Sequence, residues 1–211
     1  MFDARKVLVS LAVSVCLFSG VTGAKAATSS DVTNSSVAFK TEIGTIFGSG
    51  FFVEGGRVVT NYHVYLVSQL PDAVTVVDKQ GNEYTFSLVS YDAAADLAVL
   101  KTDAVDHEFL TVAKKESKKI KAVVNSSAQS YESLQGTVIR ESLWTRREHY
   151  DGKIQKGTRS VLSIIVRGGN SGSPVVNEAG EVVGVIMAKD EKSNGVMVKL
   201  NDLQRMIGEG K

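Results

Sequence analysis

Apolar residues in this chain come as short runs broken by turn residues, and that rhythm narrows the fold more than any other feature. Runs at 45–53, 57–60, 73–77, 84–89 and 97–101 are followed by a second set at 120–124, 136–139, 161–166, 174–176, 181–187 and 195–198. Several alternate with period two and are rich in Val and Ile, as half-buried antiparallel strands should be. Glycine is abundant between them, 19 residues against 2 Pro. Strand after strand with tight turns, and no helical pattern in between, predicts an all-β chain of barrels or sandwiches rather than βαβ units.

The two sets of runs divide around a polar, charged stretch, Ala113-Lys114-Lys115-Glu116-Ser117-Lys118-Lys119. This reads as a solvated crossing at 113–119 between an N-terminal β-barrel at 27–112 and a C-terminal one at 120–211. One helix is expected, at the end of the second unit. Asn201 and Gln204 fit an N-cap and its reciprocal partner, Leu203, Met206 and Ile207 form an apolar stripe, and Gly208 suits the stop. It is expected to pack on the second barrel.

Residues 1–26 are expected to be a secretory signal peptide. Arg5 and Lys6 give a positive start, an apolar run follows that is too short to span a bilayer, and Ala24-Lys25-Ala26 forms a small-x-small cleavage site. The segment that follows, 27–36, is small and polar and reads as a loose arm. Cys16 is the only cysteine, so a chain beginning at Ala27 has no disulfide, thiol nucleophile or thiolate metal site. Secretion or export to the periplasm is the resulting expectation, with no stable membrane insertion after cleavage. Lys and Arg number 24 against 23 Asp and Glu, which leaves no basic footprint for nucleic acid.

Three segments carry chemistry: Gly48-Ser49-Gly50-Phe51-Phe52-Val53 followed by Thr60-Asn61-Tyr62-His63-Val64; Asp96-Leu97-Ala98-Val99-Leu100; and Gly168-Gly169-Asn170-Ser171-Gly172-Ser173-Pro174. A serine hydroxyl becomes a useful nucleophile when an imidazole accepts its proton. A buried carboxylate then fixes the imidazole tautomer and stabilises the imidazolium. All three histidines, His63, His107 and His149, precede Ser171. The Ser, acid, His order of α/β-hydrolases is therefore excluded for this serine, and position 173 is Ser, so no G-x-S-x-G is formed. His63, Asp96 and Ser171 are the expected catalytic residues. Asp92 is the rival acid, and His107 and His149 read as surface residues.

At these residues the chain resembles the trypsin-like serine proteases, and most closely their bacterial HtrA/Deg-like branch. Thr60-Asn61-Tyr62-His63-Val64 is similar to that branch's T-N-x-H-V strand, Asp96-Leu97-Ala98-Val99-Leu100 to its D-[IL]-A-[VL]-[LI] segment, and Gly169-Asn170-Ser171-Gly172 to its G-N-S-G loop. The resemblance implies a chymotrypsin-like pair of antiparallel β-barrels with a short C-terminal helix. It also implies a serine endopeptidase working through an acyl-enzyme on Ser171 without a cofactor or metal, on a protein or peptide substrate. A catalytically silent binding protein on the same scaffold is the alternative.

The resemblance places the oxyanion hole at Gly169, Asn170 and Ser171, with the Gly169 and Ser171 N–H groups as donors. It places the primary substrate pocket at Ile165, Val166, Ile186, Met187 and Ala188, which implies small or medium aliphatic P1 residues. Lys189 at the end of that strand is the residue that would redirect the pocket to acidic side chains. Asn170 stands where trypsin itself has an Asp that receives a newly cut N-terminus, so activation of that kind is not expected. No PDZ domain is expected either, because the barrel's own helix ends the sequence.

Overall fold

The computed structural model describes residues 32–69, 74–104, 106–127 and 130–208. The expected signal peptide lies outside them. Seven strands come first: β1 (Ser36–Thr41), β2 (Ile46–Val53), β3 (Arg57–Thr60), β4 (Val74–Asp78), β5 (Glu83–Tyr84), β6 (Phe86–Asp92) and β7 (Leu97–Thr102), with helix α1 (Tyr62–Ser68) between β3 and β4. Six more follow: β8 (Lys119–Ser127), β9 (Ser130–Arg147), β10 (Ile154–Ile165), β11 (Pro174–Val176), β12 (Val182–Lys189) and β13 (Asn194–Lys199), then helix α2 (Leu200–Gly208). The first seven form one antiparallel sheet in the order β5-β4-β1-β2-β3-β7-β6, and the last six a closed barrel in the order β10-β13-β12-β11-β8-β9. The chain is therefore mostly β, in two sheets, as its strand rhythm implied.

The apolar runs are nearly continuous because many of these strands are buried on both faces. Phe52, Val58 and Leu100 point into the first sheet's own core with Val37, Phe39 and Val76. Their neighbours Phe51, Val59 and Val99 point the other way, into a seam shared with Val123, Val176, Val185, Met187 and Val198 of the second barrel. Val183, Ile186, Leu162 and Val175 fill the interior of that barrel. Period-two alternation thus sorts side chains between a barrel core and the seam rather than between core and water. The site described below lies along this seam.

Several expectations need correcting. The arm at 27–36 is not loose over the part described: Val32 is buried in the seam, and Ser36 begins β1 with its hydroxyl on the Val32 carbonyl at 3.0 Å. The C-terminal helix begins at Leu200, one residue before its expected cap, and Asn201 lies inside it, exposed. Gln204 reaches away from the helix to the Ala113 carbonyl at 2.8 Å instead of turning back to a cap. Leu203 and Met206 are buried as expected, but α2 packs on β6 and β7 of the first sheet as well as on β12 and β13. His107 is not a surface residue. Its ring stacks on Phe52 at 3.9 Å and its Nε2 faces Asp78 at 3.4 Å. His149 is exposed.

Candidate active site

The run expected to carry His63 on a strand folds otherwise. β3 stops at Thr60, and His63 sits in the first turn of α1. Asn61 occupies the N-cap position with extended φ and ψ yet makes no side-chain cap. Its amide instead donates to the Asp96 carbonyl at 2.9 Å. Both Asp96 carboxylate oxygens go to His63: Oδ1 accepts the His63 backbone N–H at 3.0 Å, and Oδ2 accepts from Nδ1 at 2.8 Å. Asp96 is fully buried, whereas a quarter of the His63 side chain is exposed.

Asp96 holds a left-handed φ of 60°, a conformation that costs a non-glycine residue about 1–2 kcal/mol. The bonds from Asn61 and His63 hold it there. Asp92, the rival acid, shapes the same turn by accepting the Ala95 N–H at 2.9 Å and pairs with Arg205 at 2.8 Å. It makes no bond to His63.

Burial alone would push the His63 imidazole below its usual range. The Asp96 charge and hydrogen bond, with a smaller contribution from Glu148, more than offset that and hold it above. Glu148 was not legible as a site residue. It lies at the tip of the β9–β10 hairpin, buried, and its carboxylate, the Asp96 carboxylate and the His63 ring have ligand atoms all within 4.8 Å of one another. Among the described residues this is the grouping whose composition suits a metal ion. Its oxygens are already engaged by N–H donors, from His63 on Asp96 and from His149, Tyr150 and Gln155 on Glu148. That is the pattern of a hydrogen-bonded charge cluster.

Ser171 lies in the loop between β10 and β11. The loop is pinned by Asn170, whose Oδ1 accepts the Arg167 N–H at 2.9 Å and whose Nδ2 donates to the Asn125 carbonyl at 3.0 Å. The Asn170 N–H turns inward to the Arg167 carbonyl at 3.2 Å, so Asn170 supports the expected oxyanion hole through its side chain and supplies no donor to it. The N–H groups of Gly169 and Ser171 have no partner among the described residues.

The loop also leans on the first sheet. Ser49 of β2 donates its N–H to the Ser171 carbonyl at 2.7 Å and its hydroxyl to the Gly169 carbonyl at 2.7 Å. Gly172, with φ 92°, has to be glycine, since a Cβ there would lie 1.8 Å from the Ser49 carbonyl oxygen. The half-exposed Ser171 hydroxyl donates to the Met187 carbonyl at 3.2 Å.

The five expected pocket residues have different surroundings. Ile165 is 56% exposed and opens onto a groove with Val124, Leu134, Arg167 and Asn170. Val166 and Ile186 are buried and close in around Gly195, where a Cβ would sit 3.2 and 3.5 Å from them. The Met187 side chain turns into the seam, its Sδ 3.2 Å from Arg159 Nε. Ala188 stays partly exposed, and Lys189 is exposed at the strand end. Arg159 is another residue the sequence did not single out. Its side chain is 1% exposed, and it ties the Ala94 carbonyl, at 2.8 Å, to Asp202 of α2, at 3.4 Å.

A buried Asp–His pair beside the first sheet and a pinned G-N-S-G loop that leans on the same sheet through Ser49 are the features of a trypsin-like peptidase domain. The family model described as Trypsin-like peptidase domain matches residues 48–185, and the chain belongs to that family, in its HtrA/DegP-like branch. Among curated proteins, it is 36% identical over 155 residues to a "probable periplasmic serine endoprotease DegP-like" from Brucella suis, covering 70% of this chain and 28% of that one. A protein of the same description from Hahella chejuensis is 32% identical over 155 residues, covering 71% and 31%. The chain therefore spans under a third of the length of these relatives. Among solved structures, the active form of the Rv3671c protease from M. tuberculosis superposes with a TM-score of 0.71 at 18% identity, covering 85% of this chain and 82% of that one, a likeness of fold.

Proposed function

We propose that this chain is a serine endopeptidase in which Ser171 is the nucleophile, His63 the general base and then acid, and Asp96 the carboxylate that orients it. One observation carries the reading: a single buried carboxylate takes both the backbone and ring N–H of His63. That fixes Nδ1 as the protonated nitrogen and leaves Nε2 as the base. Attack requires the Ser171 hydroxyl to leave the Met187 carbonyl and give its proton to Nε2 as Oγ bonds to the scissile carbonyl carbon. The oxyanion then meets the unpartnered N–H groups of Gly169 and Ser171, donors of the kind worth about 10²–10³ in rate each. Collapse passes the proton to the leaving amine and leaves an acyl-enzyme on Ser171, which water hydrolyses by the reverse proton route. The roles involve no metal or cofactor.

The same reading puts the enzyme outside the cytoplasm. Relatives are described as periplasmic, and no helix among the described residues is long and apolar enough to cross a membrane. Small or medium aliphatic P1 residues are the inferred preference, since Ile165 stands where an acidic side chain would be needed to hold a Lys or Arg and an apolar surface does not hold an unpaired charge cheaply. The decisive experiment uses a proteome-derived peptide library and a fluorophosphonate label on wild type and Ser171→Ala. Cleavage and labelling should both vanish in the variant with its fold retained. Undiminished cleavage by Ser171→Ala would overturn the assignment, and a wild type that neither cleaves nor labels would make the chain a binding protein.

A further inference from the structure

We propose that Glu148 is a positioning residue for the general base: a second buried carboxylate, delivered by the β9–β10 hairpin, that stabilises His63 in its protonated form. The inference rests on the protease reading above, in which His63 must become an imidazolium in every turnover.

The hairpin is fastened both to the helix that bears His63 and to the β6–β7 segment that leads to Asp96. The Lys156 N–H donates to the Ala94 carbonyl at 2.9 Å, and the Tyr62 hydroxyl donates to Asp151 at 2.9 Å. Lys153 Nζ donates to the hydroxyls of Tyr62 and Tyr91, each at 3.0 Å, and those two rings stack at 4.5 Å. Within this clasp Glu148 is aimed inward. It accepts the His149 N–H at 2.7 Å and the Gln155 amide at 2.9 Å, and it is itself only 7% exposed. Those donors are suited to an ionised carboxylate and fix where its charge sits. That place is within 4.8 Å of both the His63 ring and Asp96.

Two buried carboxylates this close repel each other across a neutral ring and are both relieved when the ring becomes a cation. The arrangement therefore favours the charge distribution that develops during attack, which is the condition for catalysis by preorganised charge. The other charged groups bearing on His63 do not cancel the effect. Arg159, from β10, acts on Asp96 but is shared with Asp202. Arg146, from β9, opposes protonation of His63 but is exposed. Asp151 and Lys153 compensate each other at 3.4 Å.

The test reads His63 without asking for cleavage. In the Ser171→Ala background, NMR titration of the imidazole ring, identified by its loss in His63→Ala, gives the proton affinity of His63 directly. Glu148→Gln keeps the shape and an acceptor oxygen while removing the charge. It should lower the His63 value by about one unit, the usual size of a lost charge at this distance, with His107 unmoved as the internal reference. With Ser171 present, the acid limb of the kcat/KM profile should move down by the same amount. If the Gln variant does not fold, Glu148→Asp, which sets the charge one methylene away, should give a smaller fall. An unchanged His63 value in the variant that folds overturns the proposal. Absence of cleavage by wild type would instead sink the protease reading while this titration still reported on Glu148.

Discussion

Two histidine–aspartate pairs flank the first sheet, and they are built to opposite ends. At one, Asp96 spends both oxygens on His63, and the outer nitrogen of the ring is left open along the seam. At the other, Asp78 is crowded: it accepts the Asn82 N–H and side-chain amide at 2.8 Å each and the Tyr84 hydroxyl at 2.9 Å, with His107 Nε2 at 3.4 Å. His107 Nδ1 is taken by the Glu108 carbonyl at 2.9 Å, and its ring is stacked on Phe52. A ring whose two nitrogens both face protein acceptors can hold a loop in place, but it leaves neither nitrogen open to a nucleophile. Pairing alone does not make a base; the free nitrogen does.

That contrast can be broken most forcefully at Asp96. Asp96→Asn should lower kcat/KM on the order of 10⁴-fold, because an amide permits the wrong tautomer, while the melting temperature moves little. Equal loss on mutating either aspartate would erase the distinction. At Asp78 the effect should reverse. Asp78→Asn should destabilise by about 1–3 kcal/mol through lost charge-assisted bonds and leave kcat/KM of the folded enzyme unchanged, as urea melts and assays below the transition would show.

A pH series sharpens the comparison further. His63 is held above the usual imidazole range, so the stability it contributes is complete below an unfolded value near ~6.5 and is lost as pH rises through the folded one. Activity runs the other way and falls as pH drops through that folded value. Burial tends to raise the Asp78 carboxyl, but its hydrogen bonds from Asn82, Tyr84 and His107 win and hold it below the usual range. Its contribution is present above ~4 and is lost as pH falls through the folded value. Thermal melts of wild type, His63→Ala and Asp78→Asn across this range should separate the two slopes. The smallest effect is expected for His107→Gln, which forfeits the stack on Phe52 for about 1 kcal/mol and leaves the pH dependence of kcat/KM unchanged.

The parts of this molecule legible in its sequence are those decided by pattern. β3 and β11 fall where the apolar runs place them, and the order of His63, Asp96 and Ser171 was readable because each sits beside such a run. Helix α1 was not, since Tyr62-His63-Val64-Tyr65-Leu66-Val67 reads by propensity as a strand and its cap residue spends its amide on Asp96. β1 was missed because Ser36-Val37-Ala38-Phe39 is buried throughout and shows no alternation. The β9–β10 hairpin outruns its predicted core of 136–139 and 161–166 because its outer half turns Gln155 and Arg159 inward while Leu143 and Ile154 lie exposed, which hides the face from a hydrophobic reading. Glu148 and Arg159 were invisible for a deeper reason. A glutamate in a turn and an arginine on a strand are unremarkable until the fold carries them to a buried aspartate far away in the chain.

The two bonds from Ser49 to the nucleophile loop carry a consequence for how such an enzyme is made. Ser49 lies early in the chain and Ser171 late, so the carbonyls of Gly169 and Ser171 have nothing to rest on until the earlier sheet exists and the later barrel has closed against it. During synthesis the early sheet is available first, and the cutting loop is the last piece to be seated. On the proposed reading, a nascent or half-unfolded chain would hold His63, Asp96 and Ser171 but lack the support that shapes the loop, and so could not yet cut.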